Sequence, residues 1–357
     1  VARRAFPGVA MSRARIAAEA LEGLAREILA AAGTPPAAAA VWAETLVWAN
    51  LRGVDSHGVM RIPRYLEQIA AGHIRPQAEL RLLKSTGGIA LLDADGGPGP
   101  VAMARAMDEA IAAAKRVHVG WCVARRITHA GAVGHFALRA AAQGMAGLVM
   151  TASVPLMAWP GSRGAVVSTN PIAIAVPGGR HPPLLIDLAT ATAALGKVLG
   201  AKQAGTPIPP DWGIDAAGRP TTDPAAVATL QPMAGHKGAG LSLMIECLAS
   251  LAAANPVIAP ALRGELTYAM NGVAIALDLA AFGDPAEFAE SVDDLAATVA
   301  AQPRAEGAPA LLVPGERGDA ELARRRVSGI PLPASVWKQL GEAAARFGVA
   351  LPAPLPG

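Results

Sequence analysis

The hydrophobic pattern changes period near residue 79, and that switch constrains the fold more than any other feature of the chain. Before it, apolar residues recur every three to four positions, the spacing of helices with one buried face. Residues 12–32 read as an amphipathic helix stopped by Gly33. Thr34-Pro35 supplies a cap and a first-turn proline for a second helix ending near Gly53. Residues 59–71 give a third helix closed by Gly72, with Pro63 tolerable only near its start. After residue 79, strand-length apolar runs alternate with helices. Residues 80–83 and 89–93 form a hairpin, 101–116 a helix, 119–123 the start of a strand, and 133–143 a helix. Strands follow at 147–153, 171–176 and 184–188, then a helix to about residue 204. The Pro- and Gly-rich stretch 206–232 is a long crossing loop. Residues 238–254 form a helix, 271–278 and 310–313 strands, and 334–347 the last helix. Interleaved helix and strand mark an α/β protein.

At 357 residues the chain exceeds one ordinary core, so two or three subdomains are expected. A hydrophobic content of 52% against 17% charged residues argues for burial and against disorder. The net charge of +3 is scattered and aromatics are sparse, which excludes a nucleic-acid surface and favours a mildly basic pocket for an anion. No apolar run reaches the roughly 18 residues of a membrane span; even 233–255 is broken by Gly, His, Lys and Glu. Cys122 and Cys247 each lie in an apolar stretch and read as buried free thiols of a reducing cytoplasm. Arg3 and Arg4 precede no apolar segment of the secretory kind. The histidines and cysteines lack metal-ligand spacing, so no metal site is expected.

Several short constellations could carry chemistry. In Asp55-Ser56-His57-Gly58-Val59-Met60-Arg61, helical spacing would turn His57 and Arg61 to one face. A guanidinium clamps a carboxylate in two parallel bonds, an adjacent imidazole shuttles a proton, and Ser56 could orient the ring. The same residues also suit a plain cap and a surface charge. Thr128-His129-Ala130-Gly131 follows a strand and opens a helix, a turn able to cradle phosphate or simply to turn. Asp187 ends an apolar strand, either capping the next helix or facing a site. Gly235-His236-Lys237-Gly238 is glycine-rich and basic at a helix start, without P-loop spacing. Val313-Pro314-Gly315-Glu316-Arg317 is a strand end and polar turn. No Gly-x-Gly-x-x-Gly fingerprint follows a strand.

In their joint order these motifs resemble the malate/L-lactate dehydrogenase-like family of NAD(P)-dependent oxidoreductases, which is distinct from the Rossmann lactate and malate dehydrogenases. The likeness is strongest at 55–65, Thr169-Asn170-Pro171-Ile172-Ala173, Gly235-His236-Lys237-Gly238 and Pro314-Gly315-Glu316. It implies a non-Rossmann α/β fold: a central, largely antiparallel or mixed sheet in the cofactor domain, and a helical domain from the N- and C-terminal segments. The implied boundaries are a helical region over 1–75, a linking α/β region over 76–125, a cofactor-binding domain over 126–315 and C-terminal helices over 316–357. It implies NAD or NADP as cofactor, a small carboxylic acid as substrate and a homodimer.

By the same resemblance, His57 with Ser56 handles a proton, and Arg61 holds the substrate carboxylate near Thr169. His129 is either the acid/base or a cofactor contact. Asp187, also a candidate catalytic group, lies with Leu188 and Ala189 beside the nicotinamide nucleotide. Gly131, Ser153, His236, Lys237, Pro314, Gly315 and Glu316 complete the cofactor contacts. Hydride would pass between nicotinamide and C2 of a 2-hydroxy or 2-oxo acid; reduction of a cyclic or N-alkyl 2-imino acid is the alternative. Ala130, Ala191 and Ala239 depart from the family pattern, each enlarging or depolarising a site. They are the only support for a third reading, a non-catalytic protein that binds a dinucleotide or organic acid.

Overall fold

The computed structural model describes residues 14–265 and 268–356, which fall into two compact units. Of these described residues, one unit comprises 14–77, 176–185 and 279–356; the other, 78–175, 186–265 and 268–278. The expected helix at residue 12 begins outside the described residues.

The first unit is helical, built from both ends of the chain: Ala18–Ala31, Pro36–Leu51, Ile62–Ala70, Pro285–Ala300, Glu316–Ser328 and Ala334–Arg346. In the first helix Leu21, Leu24, Ala25, Ile28 and Leu29 are buried, the stripe its periodicity requires. Each leucine or isoleucine so removed from water contributes roughly 1.5–3 kcal/mol. Trp42 and Tyr65 pack with ring centroids 5.1 Å apart, joining the second and third helices. This helix starts later than the periodicity implies, because Ala14–Ile16 pairs antiparallel with Ile330–Leu332, a partner more than three hundred residues away. The second helix is capped by Pro35 with Pro36 inside its first turn, so Thr34 is not the cap. Residues 310–313 are not a strand. Pro309 and Pro314 bring no N–H to a ladder, and the Val313 N–H goes to the Glu316 carboxylate at 2.8 Å.

The second unit is organised by a mixed seven-stranded sheet in the order Arg81–Thr86, Ile89–Asp93, Val119–Ile127, Met270–Asp278, Met145–Ala152, Ile172–Val176, Leu184–Leu188. The first two strands form an antiparallel hairpin, and Ile89–Asp93 runs parallel to Val119–Ile127. Met270–Asp278 is antiparallel to both its neighbours, as Met145–Ala152 is to Ile172–Val176. This is the largely antiparallel sheet the resemblance implies. Val123, Val273 and Met150 are register partners and share one face. They pack with Ile245, Ala249 and Ala253 from His236–Glu246 and its continuation. The long helix Gly99–Val117 packs on Val119–Ile127 and Met270–Asp278. Residues 206–232 are the expected loop, pinned by short strands at Gly213–Ile214 and Thr229–Leu230 in a four-stranded sheet. Among the described residues no helix is long and apolar enough to cross a membrane.

Candidate active site

In the helical unit, the Asp55–Arg61 segment is not the start of an α-helix. It forms two 3₁₀ turns, Asp55–His57 and Val59–Arg61, separated by Gly58 in an extended conformation (φ −91°, ψ −157°). The α-helix begins at Ile62, with Pro63 in its first turn. His57 and Arg61 are therefore brought together by two tight turns rather than by helical spacing. Ser56 Oγ lies 3.0 Å from His57 Nδ1, and Arg61 Nε donates to the Ser56 carbonyl at 2.7 Å. The two Nη groups of Arg61 make no hydrogen bond among the described residues, which leaves the fork that suits a carboxylate. Burial, and then the positive charge of Arg61, lower the His57 pKa to about 4. At neutral pH the ring is an uncharged proton acceptor.

Asn50 and Arg325, which carry no signal in the sequence pattern, hold this segment. Asn50 Nδ2 donates to Asp55 Oδ1 at 2.6 Å, and its Oδ1 accepts from the Val59 N–H at 2.9 Å. A Cβ on Gly58 would stand 2.1 Å from Asn50 Oδ1, so only glycine passes there.

Pro314, Gly315 and Glu316 open the helix Glu316–Ser328 in this same unit. The Pro314 carbonyl accepts from the Leu185 N–H at 3.1 Å, and the Gly315 carbonyl from Arg52 Nη2 at 3.0 Å. His181 Nδ1 is 2.6 Å from the Pro182 carbonyl and Nε2 is 3.3 Å from Glu316 Oε1. With both ring nitrogens facing oxygens, the pKa of His181 is raised: first by the Pro182 carbonyl, then, against the cost of burial, by the Glu316 carboxylate. Glu316 and Asp319 fill the first turn, so this helix end offers acceptors for hydroxyl groups rather than a seat for an anion.

In the sheet unit, separate turns are tied together by backbone hydrogen bonds. The Thr190 N–H donates to the Thr169 carbonyl at 3.3 Å, the Met233 N–H to the Thr190 carbonyl at 2.8 Å, and the Gly238 N–H to the Met233 carbonyl at 2.9 Å. Thr169, Asp187-Leu188-Ala189 and His236-Lys237 are thus assembled around one set of loops. Thr169 is flanked by fully buried neighbours. Ser168 Oγ lies 2.6 Å from Ser153 Oγ, and Asn170 Oδ1 accepts from the Ser153 N–H at 3.1 Å. Asp187 is not the cap of the helix that follows it. Its carboxylate accepts from the Gly134 N–H at 2.8 Å, at the start of Gly134–Ala141, which joins the 187–189 segment to the turn carrying His129 and Gly131.

Ala130, Ala191 and Ala239 are 5%, 6% and 0% exposed. Ala191 belongs to an apolar cluster with Met157, Val167 and Val198.

A dinucleotide fits the groups present in the sheet unit. Gly235 (φ +63°) has open space where a side chain would stand, at the N-terminus of His236–Glu246. Lys237 is exposed beside it, and its ammonium has no hydrogen bond or ion pair among the described residues. An exposed ammonium beside an open glycine turn suits a pyrophosphate. Thr190 Oγ1 is buried and has no partner among the described residues, a polar atom still to be satisfied beside Ala189.

Fold and site together define a nicotinamide-dependent oxidoreductase without a Rossmann domain. The family model for malate/L-lactate dehydrogenase matches residues 16–341, and the chain belongs to that family. It is 33% identical to a malate dehydrogenase from Pyrococcus horikoshii over 334 residues, 90% of this chain and 92% of that one. It is also 33% identical to an L-sulfolactate dehydrogenase from Methanocaldococcus jannaschii over 329 residues, 90% and 94% of the two chains. The malate dehydrogenase structure from Entamoeba histolytica superposes with a TM-score of 0.90 at 26% identity, covering 96% of this chain and all of that one. The protein is an NAD(P)-dependent oxidoreductase of small 2-hydroxy and 2-oxo acids.

Proposed function

We propose that Arg61 receives the substrate carboxylate and that His57, oriented by Ser56, exchanges the proton of the C2 hydroxyl. The observation that carries this reading is the joint geometry of the 56–61 turns. A ring held neutral lies beside a guanidinium whose Nε is occupied and whose Nη pair is open.

When bound, nicotinamide supplies or accepts the hydride at C2. Arg61 fixes the carboxylate, and orientation of this kind contributes several kcal/mol to lowering the barrier. In oxidation, the neutral His57 ring takes the hydroxyl proton; in reduction, the protonated ring returns it to the carbonyl oxygen. A carboxylate on Arg61 cancels the charge that helps depress the His57 pKa, so substrate binding favours proton uptake by the ring. In the sheet unit, Lys237 and the Gly235 turn receive the pyrophosphate, with His236 at the same helix start. Asp187, Leu188 and Ala189 line the nicotinamide nucleotide together with His129, Gly131 and Ser153, and Thr169 contacts the substrate. In the helical unit, Glu316 and the Pro314-Gly315 turn accept hydroxyl groups of the cofactor. The free thiols Cys122 and Cys247 support a reducing, cytoplasmic setting. The exposed Leu241, Met244, Leu248 and Leu251 support a homodimer, which light scattering reads directly.

The test is oxidation of NADH or NADPH with a panel of 2-oxo acids, including pyruvate with and without methylamine. Turnover of 2-oxo acids is expected, and it should fall sharply in Arg61→Met and His57→Gln. A requirement for methylamine would instead assign the imine chemistry. Wild-type kinetics in both variants would end the residue assignment.

A further inference from the structure

Arg325 is a buried cation, 7% exposed, on the helix Glu316–Ser328. Its guanidinium makes four hydrogen bonds. Nη1 donates to the Asn50 carbonyl at 2.6 Å and to Asp55 Oδ1 at 2.7 Å, Nη2 to Asp55 Oδ2 at 3.1 Å, and Nε to Glu321. Asp55, which starts the turn that carries Ser56 and His57, is much more exposed: 43% at its side chain. Desolvating a guanidinium opposes folding unless its partners are well placed, and the gain over an apolar side chain is small at best. What such a fork supplies is direction: two parallel bonds fix both the position and the plane of the Asp55 carboxylate.

The grip has a second point. Arg52, three residues before Asp55, bonds the Gly315 carbonyl and Asp319 on the first turn of the same helix. Asp319 and Arg325 are six residues apart, about 9 Å along a helix. Glu316–Ser328 therefore holds 52–55 at two separated points, and Asn50 ties Asp55 to Val59 across Gly58. The whole 55–61 segment is braced from a helix far away in the sequence.

We propose that Arg325 is a positioning residue for the reaction: through Asp55 and Asn50 it sets the Ser56-His57 turn and hence the relation of His57 to Arg61. This rests on the proton and carboxylate roles given above. Because the ring stays neutral chiefly through burial, a loosened turn lets water reach it and moves its titration back towards that of an ordinary histidine.

The experiment compares Arg325→Met, Arg325→Lys and Asp55→Asn with the wild type, measuring kcat, KM, NADH affinity by fluorescence, thermal stability, and the acid limb of kcat/KM for oxidation of the 2-hydroxy acid, where the neutral ring is the base. In Arg325→Met, kcat/KM for oxidation of the 2-hydroxy acid should fall about 10- to 100-fold, the loss expected when a reacting group shifts by about 1 Å. The acid limb should move up in pH while NADH affinity stays within about threefold, and Arg325→Lys should recover part of both changes. If Arg325→Met does not fold, Asp55→Asn, which keeps an acceptor oxygen, carries the same expected signature. A folded Arg325→Met or Asp55→Asn with an unmoved acid limb and wild-type kcat/KM overturns the proposal. So does a variant whose only change is its melting temperature. If His57→Gln and Arg61→Met are themselves wild-type in turnover, the site assignment has failed instead.

Discussion

Replacing His57 by glutamine should remove a specific part of the dependence of stability on pH. The folded chain holds the ring neutral down to about pH 4, through burial and then the charge of Arg61; an unfolded histidine titrates near about 6.5. Between those values the unfolded chain binds more protons than the folded one. The stability from this group is therefore fully present above about pH 6.5 and is lost as pH falls towards 4. At roughly 1.4 kcal/mol per tenfold step, the loss approaches roughly 3 kcal/mol; between pH 7 and 4.5, with partial solvent access, it is roughly 2 kcal/mol. Urea unfolding of wild type and His57→Gln at a series of pH values isolates it, since the carboxylates titrate alike in both. Wild type should lose about 2 kcal/mol more than the variant over that interval. Parallel stability curves would show that the ring is not held neutral, and the base assigned to the oxidation direction would go with it.

Other perturbations follow from the same contacts. Gly58→Ala puts a Cβ on Asn50 Oδ1 and should destabilise the helical unit by about 1–3 kcal/mol, read by urea unfolding, with a matching loss of turnover. Lys237→Ala should weaken NADH binding about tenfold, reduce its salt dependence and leave stability unchanged, as titrated by fluorescence at two salt concentrations.

Legibility of the fold followed the range of its contacts. The helical stripe of 18–31 and the alternation after residue 79 are local, and they located most elements in sequence. What failed was long-range. Ala14–Ile16 joins a ribbon with Ile330–Leu332, so the helix after it starts late, and no local pattern announces that pairing. The apolar run 310–313 has the length and composition of a strand, but flanking prolines and the Glu316 carboxylate take it out of any ladder. At the site, residue types were readable and geometry was not. His57 and Arg61 converge through 3₁₀ turns around an extended glycine, and Asp187 holds the start of a helix that precedes it in the chain. Arg325 stands between Arg324 and Arg326, and nothing local sets it apart; only the structure shows that the middle residue is buried against Asp55.

The most direct test of the central claim compares a 2-oxo acid with its amide, which lacks the charged carboxylate, in wild type and in Arg61→Met. If the Arg61 fork recognises the carboxylate, the acid should be preferred by about 100-fold or more in kcat/KM, as expected for a charge-assisted hydrogen-bonded pair of about 3 kcal/mol. That preference should collapse in the variant through loss of activity on the acid alone. An undiminished preference in Arg61→Met would contradict the account and place carboxylate recognition elsewhere.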